Sequence, residues 1–590
     1  MGGFILVRKS ERIDYKDLQA AALDSFTQRG FANPHIISTE NYVLLAFAKR
    51  QTSALALERF PNGDFVFACG TLLYDGKVGK AAASAFYEDY DGPPGPRERA
   101  MGHYAVILRK NGLTEIIPDS FGGYHIYCDS GMHIATSSFL AAAASLKRLT
   151  FSAQSAYEYV FNGVVSGDAT LFEEIILAPV GSTISVQQQK MQFTKYPLRI
   201  PQTVSHTNFE ASITHTMEIL DRYFSSVAES FGDSINCALT GGYDSRLILA
   251  LLRRHGVRPR LYLYGSSVGE DVRLAHAIAK GENLPLDVTD KTQRPIWRPD
   301  EFAAIAHQNF LSADGYIWEG IFDNGAESEL RALRVNQGRI VLNGGGGEIL
   351  RNFFYLPDRR YTPREFLWSF YSRFDPRSCT ELFDEDDYFH KLELKIGLLT
   401  GHCFSSFPRP TVEWLYHNFR CRSWDGRVNT INSSFGYTSL PFLERPLTEH
   451  ASTIPIEWKN HGAYEAELVR RADKRLAAYP SSYGHDFNGP PPLFRRLADY
   501  GTYLRPTWLR RFSYRVQHRM KCYAASSVYL ERPYVDAVLP RGAQITPRLF
   551  RLERVADPQQ MARILTLEYL VQQFAGRVCD DLRKPASRNG

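Results

Sequence analysis

Residues 235–256, INCALTGGYDSRLILALLRRHG, decide how the rest of the chain is read. A short apolar run, Ile235 to Leu239, leads into a tight glycine turn and then into an amphipathic helical pattern. Gly241 and Gly242 let backbone N–H groups approach an anion without Cβ interference, and the positive end of the following helix favours phosphate there. Thr240 and Ser245 add hydroxyl donors. Asp244 gives a bare phosphate no electrostatic help, so its place beside the turn points to Mg²⁺ linking carboxylate to phosphate oxygens. The expected ligand is a magnesium nucleotide.

Downstream, the strand-like PRLYLYG ending at Gly265, a helix from about Glu270 to Lys280 and a later apolar run Ile340 to Leu342 continue the alternation of strand and helix. That order predicts a parallel, doubly wound sheet, whose ligands bind at the carboxyl ends of strands. The run at Ile340 to Leu342 opens into Asn343, four glycines and Glu348, a second glycine-rich turn carrying an acid. Upstream, Thr207 and Glu210 read as a capping box. Phe209, Ile213, Met217, Leu220, Phe224 and Val227 then recur at helical spacing, a packing stripe.

The first two hundred residues differ. GFILVRK, YVLLAFAK, DFVFACGTLLY, HYAVILRK, TEIIPD, YHIYCD and STISVQQQ are short β-like runs set between turn residues. Helices are expected near Gln19 to Phe26 and Ala141 to Leu146, giving an α+β sandwich. YPLRIPQTVSH, Tyr196 to His206, reads as a linker, and from about Thr362 the pattern is mainly helical. At 590 residues the chain should hold two or more domains, and with 44% apolar and 23% charged residues its composition is ordinary for a soluble globular enzyme. A net charge of +5 gives no argument for a nucleic-acid partner. Eight cysteines without a CxxC pair indicate neither a zinc site nor a disulfide framework. No run approaches a membrane span and the opening residues do not read as a signal peptide, so a cytoplasmic protein without a membrane partner is expected.

The Thr240 to Ser245 loop lacks the GK[ST] ending of a Walker loop and resembles the SGGxDS loop of the PP-loop ATP pyrophosphatases, with Thr240 for Ser. YGSSVGEDVRLAHAIAK, NGGGGE and SLPFLERPL, with IIPDSFGGYHIYCDSGMHIATSS and GDATLFEEIILAPVGS in the first half, extend the likeness. Over most of its length the chain resembles the asparagine synthetase B family, which includes the β-lactam synthetases and lasso-peptide cyclases. The resemblance implies a degenerate, Ntn-hydrolase-like glutaminase domain over residues 1–200. It also implies an α/β PP-loop synthetase domain over residues 207–590, with a parallel doubly wound sheet and extra C-terminal helices. ATP contacts would fall at Leu239, Thr240, Gly241, Gly242, Asp244, Ser245, Tyr264, Asn343 and Gly344, and Mg²⁺ at Asp244 and Glu348.

Several positions depart from that pattern. Gly2 stands where an active glutaminase carries its nucleophilic cysteine, so glutamine hydrolysis by that route is excluded. Glu348 replaces the implied metal-binding Asp, and Gly345 fills the slot of an implied acid/base Glu or Tyr. The segment that would bear a late lysine reads AYPSSYGHDF, which leaves Tyr483, His485 or Lys459 as catalytic candidates, with Lys474 and Lys521 as further possibilities.

The implied reaction is adenylation of a small-molecule or peptide carboxylate by ATP, followed by transfer to ammonia or an amine. Two alternatives stand beside it: a PP-loop enzyme adenylating a nucleobase, and an inert pseudo-synthetase that binds ATP or a partner. The arginine- and aromatic-rich segment 493–521 is expected to be a surface helix whose arginine stems cover core aromatics. EDYDGPPGPRE reads as a solvated turn and ELFDEDDYFH as a helix start, while His402, His450 and His461 lack metal-ligand spacing.

Overall fold

A computed structural model describes the chain except for residues 10–13, 53–55, 94, 188–189, 402–405, 521–526 and 580–590. His402, Cys403, Lys521 and Cys522 lie outside the described residues.

Strand Gly3–Arg8 has apolar residues on both faces because it is covered on both. Phe4 and Leu6 meet Phe67, Ile107 and Ile184 of a second sheet, whereas Ile5 and Val7 face Ala22, Phe26 and Phe139 on helices Tyr15–Gln28 and Phe139–Ser145. Each such burial contributes about 1.5–3 kcal/mol. The expected sandwich is therefore present as two six-stranded antiparallel sheets sharing one core. The outer face of the second sheet is covered by helix Gly79–Glu88, which the sequence reading did not anticipate.

Residues 196–208 carry neither helix nor strand. Helix Phe209–Phe231 follows, capped by the Asn208 side chain, which accepts from the Ala211 N–H; the Thr207–Glu210 box is displaced by one residue. Asn is as good a cap as Thr, and this register turns Ile213, Leu220 and Phe224 inward.

Strands Leu286–Thr289, Arg260–Tyr264, Ile235–Ala238, Ile340–Leu342 and Tyr437–Ser439 lie side by side in that order, all parallel. The chain runs outward from Ile235–Ala238 in one direction, then returns to place Ile340–Leu342 on its other side. The reversal point therefore lies between the two strands that carry the glycine loops, where doubly wound sheets bind ligands. The fifth strand, Tyr437–Ser439, sits within the region read as helical and was missed because three residues carry no periodic signal.

The two halves meet on helix Arg422–Phe435. Lys49 donates to the carbonyls of Ser433 (3.1 Å) and Gly436 (2.8 Å), and Arg422 pairs with Asp168 at 2.7 Å. Buried Asp314 accepts from the Phe139 N–H and pairs with Arg29 and Arg427. The expectation for the C-terminal helices Leu493–Tyr503 and Thr507–Met520 is met in part: they lie at the surface with Arg495 over Tyr483 and Arg511 over Trp368, but their own aromatics are not core residues. Phe494, Trp508 and Phe512 point to solvent and are not covered by arginine stems.

Candidate functional site

The first glycine loop is braced from behind. Ser245 Oγ accepts from the Thr240 N–H at 3.0 Å, and the Gly241 N–H donates to Asp271 Oδ1 at 3.0 Å. A Cβ on Gly241 would lie 2.5 Å from Leu274 and 3.0 Å from the Ser482 nitrogen, so this glycine is required by packing. A Cβ on Gly242 would meet nothing closer than Thr240 Oγ1 at 3.4 Å. The expectation that both glycines clear space for an anion thus separates into one inward-facing and one open position. Helix Tyr243–Arg254 starts at Gly242 without a side-chain cap, which leaves its first N–H groups to an external acceptor.

The second loop closes over the first. The Asn343 side chain accepts from the Gly345 N–H at 2.8 Å, turning the chain so that Gly344 and Gly347 face Asp244. A Cβ on Gly347 would lie 1.9 Å from Asp244 Oδ1, and one on Gly344 would lie 2.9 Å from Asp244 Cβ. These glycines allow the contact between the loops. Gly346 is left-handed at φ +86° and completes the bend.

Asp244 and Glu348 converge on a cation that the sequence reading overlooked. Arg351 Nη2 donates to both Asp244 oxygens, at 3.0 and 2.7 Å, and Arg351 Nε lies 2.8 Å from Glu465 Oε2. Arg351 Nη1 donates to the Tyr483 hydroxyl at 3.0 Å. Glu348 accepts from the Tyr416 hydroxyl at 2.7 Å, presented by a wide π-type turn, Tyr416–Cys421, that also carries Arg420. Glu465 is wholly buried on helix Ala463–Ala472, which packs on Tyr243–Arg254.

Electrostatics follow from this crowding. Burial, reinforced by the charge of Asp244, drives the Glu465 carboxyl well above its usual range. Burial also raises Asp244, with Arg351 opposing and Glu348 adding to the rise. Burial pushes Glu348 up as well, but Arg351 and the Tyr416 hydroxyl outweigh it and the net shift is downward.

Among the described residues no group of three or more His, Cys, Asp or Glu forms a ready metal cage. The donor set nevertheless fits a nucleotide-bound divalent cation. Three carboxylates face one guanidinium, Glu465 is wholly buried with only its Oε2 ion-paired to Arg351, and Mg²⁺ commonly takes only one or two carboxylates beside phosphate oxygens.

The volume that a side chain at Gly345 would fill is taken by another element. A Cβ on Gly345 would lie 2.5 Å from Asp425 Oδ1, so the carboxylate from helix Arg422–Phe435 fills that volume. Burial pushes Asp425 up to about 6, with Arg420 opposing and Glu348 adding to the rise.

The catalytic candidates separate. Tyr483 belongs to the cluster, hydrogen-bonded to Arg351 and 4.8 Å ring to ring from Tyr243. Lys459 is fully buried, 2.5 Å from Glu413 Oε2 and donating to the Ala451 carbonyl, so its ammonium is committed to packing. His485 contacts the Asp486 carbonyl and the edge of Phe487, and has no hydrogen bond to Asp244, Glu348 or Arg351. Segment 478–487 is tied to the first loop, through Ser482 N–H to the Gly241 carbonyl (3.1 Å) and Arg246 to the carbonyls of Tyr479 and Pro480. Tyr264 lies at the strand end on the other side, its ring under Arg334 at 3.9 Å and Lys291 at 4.8 Å, and its buried hydroxyl has no partner.

Beside Glu348 and Arg351 opens a cavity of about 630 Å³, walled by Phe353, Phe354, Phe370 and Tyr514 and by Arg373, Arg420 and Arg495. Arg420 lies over Phe353 at 4.9 Å and Phe370 at 5.2 Å. Such a wall suits a carboxylate on an apolar body. In the first half, a side chain on Gly2 would lie 2.8 Å from the Ala48 oxygen and Lys49 Cα, so no nucleophile fits there. Asp119 of the FGGY segment accepts N–H groups of Phe121, Gly123 and Tyr124, each at 3.0 Å, and holds a corner.

No protein-family model matches the chain, and no curated protein matches it. Among solved structures it is similar to a glutamine phosphoribosylpyrophosphate amidotransferase from B. subtilis complexed with ADP and GMP, at 9% identity and a TM-score of 0.24. The match covers 48% of this chain and 65% of that one, so the chain spans just under two thirds of that neighbour's length. A second structure, described as the allosteric regulatory enzyme of purine biosynthesis, matches at 10% identity and a TM-score of 0.24, covering 53% of this chain and 78% of that one. Neither likeness is close enough to bear on fold or activity.

Proposed function

We propose that the chain is an ATP-dependent, AMP-forming amide ligase of asparagine-synthetase type without glutaminase activity of its own. The observation that carries this reading is the meeting of two glycine loops at the reversal point of a parallel sheet, with Gly344 and Gly347 packed on Asp244. The uncapped helix start at Gly242 would hold phosphate oxygens through its N–H groups. Asp244 and Glu348 would hold Mg²⁺, which when bound neutralises phosphate charge. Arg351 would then share its guanidinium between Glu465 and the nucleotide. The cavity lined by Arg420 and Arg373 would bind the acid substrate with its carboxylate toward the α-phosphorus. Carboxylate attack there would form the acyl-adenylate and release pyrophosphate; the amine would then displace AMP and give its proton to a base, a role we assign to Asp425, whose carboxylate lies beside Gly345.

One observation favours the pseudo-synthetase reading. Both Asp244 oxygens are already engaged by Arg351, so the site is internally neutralised in part. Incubation of the purified chain with ATP, Mg²⁺ and candidate acids and amines separates the two. Matched release of AMP and pyrophosphate, abolished by Asp244→Asn, supports the ligase, whereas ATP binding without pyrophosphate release across the acid panel supports the binder.

A further inference from the structure

Helices Leu493–Tyr503 and Thr507–Met520 are inside out. Their inward side is polar and aromatic. Asp499 lies 2.7 Å from His461 Nδ1, Arg495 donates to the Tyr483 carbonyl at 3.2 Å, Tyr503 stacks on Tyr355, and Arg510 donates to the carbonyls of Phe354 and Thr502. Their outward side carries Leu493, Phe494, Leu497, Leu504, Trp508 and Phe512, each 60 to 80% exposed. With Tyr500, these are seven of the fifteen large hydrophobic side chains exposed among the described residues, gathered into twenty positions. Spacings of three and four keep them in one row along each helix. In a water-facing helix the apolar row turns inward, so this row lacks its cover.

Charge identifies the cover. Residues 493–517 hold six arginines and one aspartate, a surplus equal to the +5 of the whole chain. Arg511 and Arg515 pair with Glu385 and Arg510 is buried among carbonyls, but among the described residues Arg496 and Arg505 have no ion pair. The apolar side chains protrude, all six named above being mostly exposed. Protruding Leu, Phe and Trp bordered by unpaired arginines is the pattern of a helix lying in the headgroup layer of a bilayer. We propose that this face seats the protein on an anionic lipid surface, with the apolar row entering the acyl boundary and Arg496 and Arg505 against lipid phosphates. Such a contact needs no spanning helix, and among the described residues no helix is long and apolar enough to be one.

The test uses the full chain without nucleotide, so it stands apart from the chemistry of the cavity. Sedimentation is measured with vesicles of phosphatidylcholine alone and with roughly a third phosphatidylglycerol. The wild type is expected to sediment with the anionic vesicles and less with the neutral ones. Leu497→Ser/Leu504→Ser/Trp508→Ser should lower partitioning at least about tenfold, and Arg496→Gln/Arg505→Gln should remove the preference for anionic lipid. Because these side chains are exposed, unchanged circular dichroism and thermal unfolding are expected for both variants. Wild-type protein left in the supernatant with anionic vesicles, or a triple variant that sediments like wild type, overturns the proposal. So does light scattering that finds the row occupied by a second copy, with a dimer that the triple variant dissolves.

Discussion

Gly242→Ala distinguishes a glycine kept for a ligand from one kept for packing. Its backbone, φ −85° and ψ −177°, lies in the extended region open to alanine, and the added methyl would have 3.4 Å to its nearest neighbour, Thr240 Oγ1. Alanine is a poorer N-cap than glycine but restricts the unfolded chain more, and the two effects offset to within about 1 kcal/mol. Folding stability should therefore hardly change. If phosphate oxygens approach this turn, the same methyl enters their space at a cost of about 1–3 kcal/mol, which weakens ATP binding about five- to 150-fold. Gly241→Ala behaves oppositely: its methyl would strike Leu274 at 2.5 Å and the Ser482 backbone at 3.0 Å, costing about 1–3 kcal/mol of stability in the absence of any ligand. Titration calorimetry with ATP and thermal unfolding of both variants read the two effects separately. An ATP affinity in Gly242→Ala equal to that of wild type would refute the placement of phosphate on this turn.

Asp425→Asn should lower AMP formation by about 10²–10⁴-fold if Asp425 takes the amine proton, and should remove the rise in wild-type activity as pH passes through about 6. The same group gives a stability signature of defined sign. Its folded pKa lies above the unfolded value of about 4, so its contribution is full below about 4 and lost as pH rises through about 6. Wild type should lose stability over that window relative to the variant, as followed by unfolding midpoints at a series of pH values. Lys459→Met should cost about 3 kcal/mol, the low end for a broken buried pair because Arg409 still holds Glu413 at 2.6 Å, while leaving ATP affinity unchanged. Lost turnover with an unaltered unfolding midpoint would instead restore Lys459 as a catalytic residue.

What could be read from the chain follows the range of the signal. Strand, turn and helix at Ile235 to Arg254, and the second glycine loop at Asn343 to Glu348, are local patterns, and both fall where expected on neighbouring parallel strands. Arg351, Glu465 and Asp425 were missed because each belongs to an ordinary local pattern and gains its meaning from distant elements, more than a hundred residues away for Arg351 and Glu465 and 80 residues away for Asp425 beside Gly345. AYEAELVRRA reads as a solvated helix with scattered charges, yet packing on Tyr243–Arg254 turns Glu465 inward. In 493–512 the period was legible but not its direction: an apolar row looks the same whether it faces a core or a bilayer, and only the polar contacts of Asp499, Tyr503 and Arg510 show which side is inside.

Charge makes the same point for the candidate site. Read motif by motif, Asp244 and Glu348 are two separate acids, each beside its own glycine loop. In space they join Glu465 around Arg351, so that three carboxylates oppose one guanidinium and the excess is two negative charges, close to what one divalent cation balances. Arg420 and Asp425 lie next to this group with opposite charges and do not alter the sum. Burial is the main cause that drives the Glu465 carboxyl well above its usual range, and the neighbouring charge of Asp244 adds to the rise. A site built only to be neutral would need two carboxylates fewer, and this surplus of acids is the feature on which the proposed Mg²⁺ role of Asp244 and Glu348 rests.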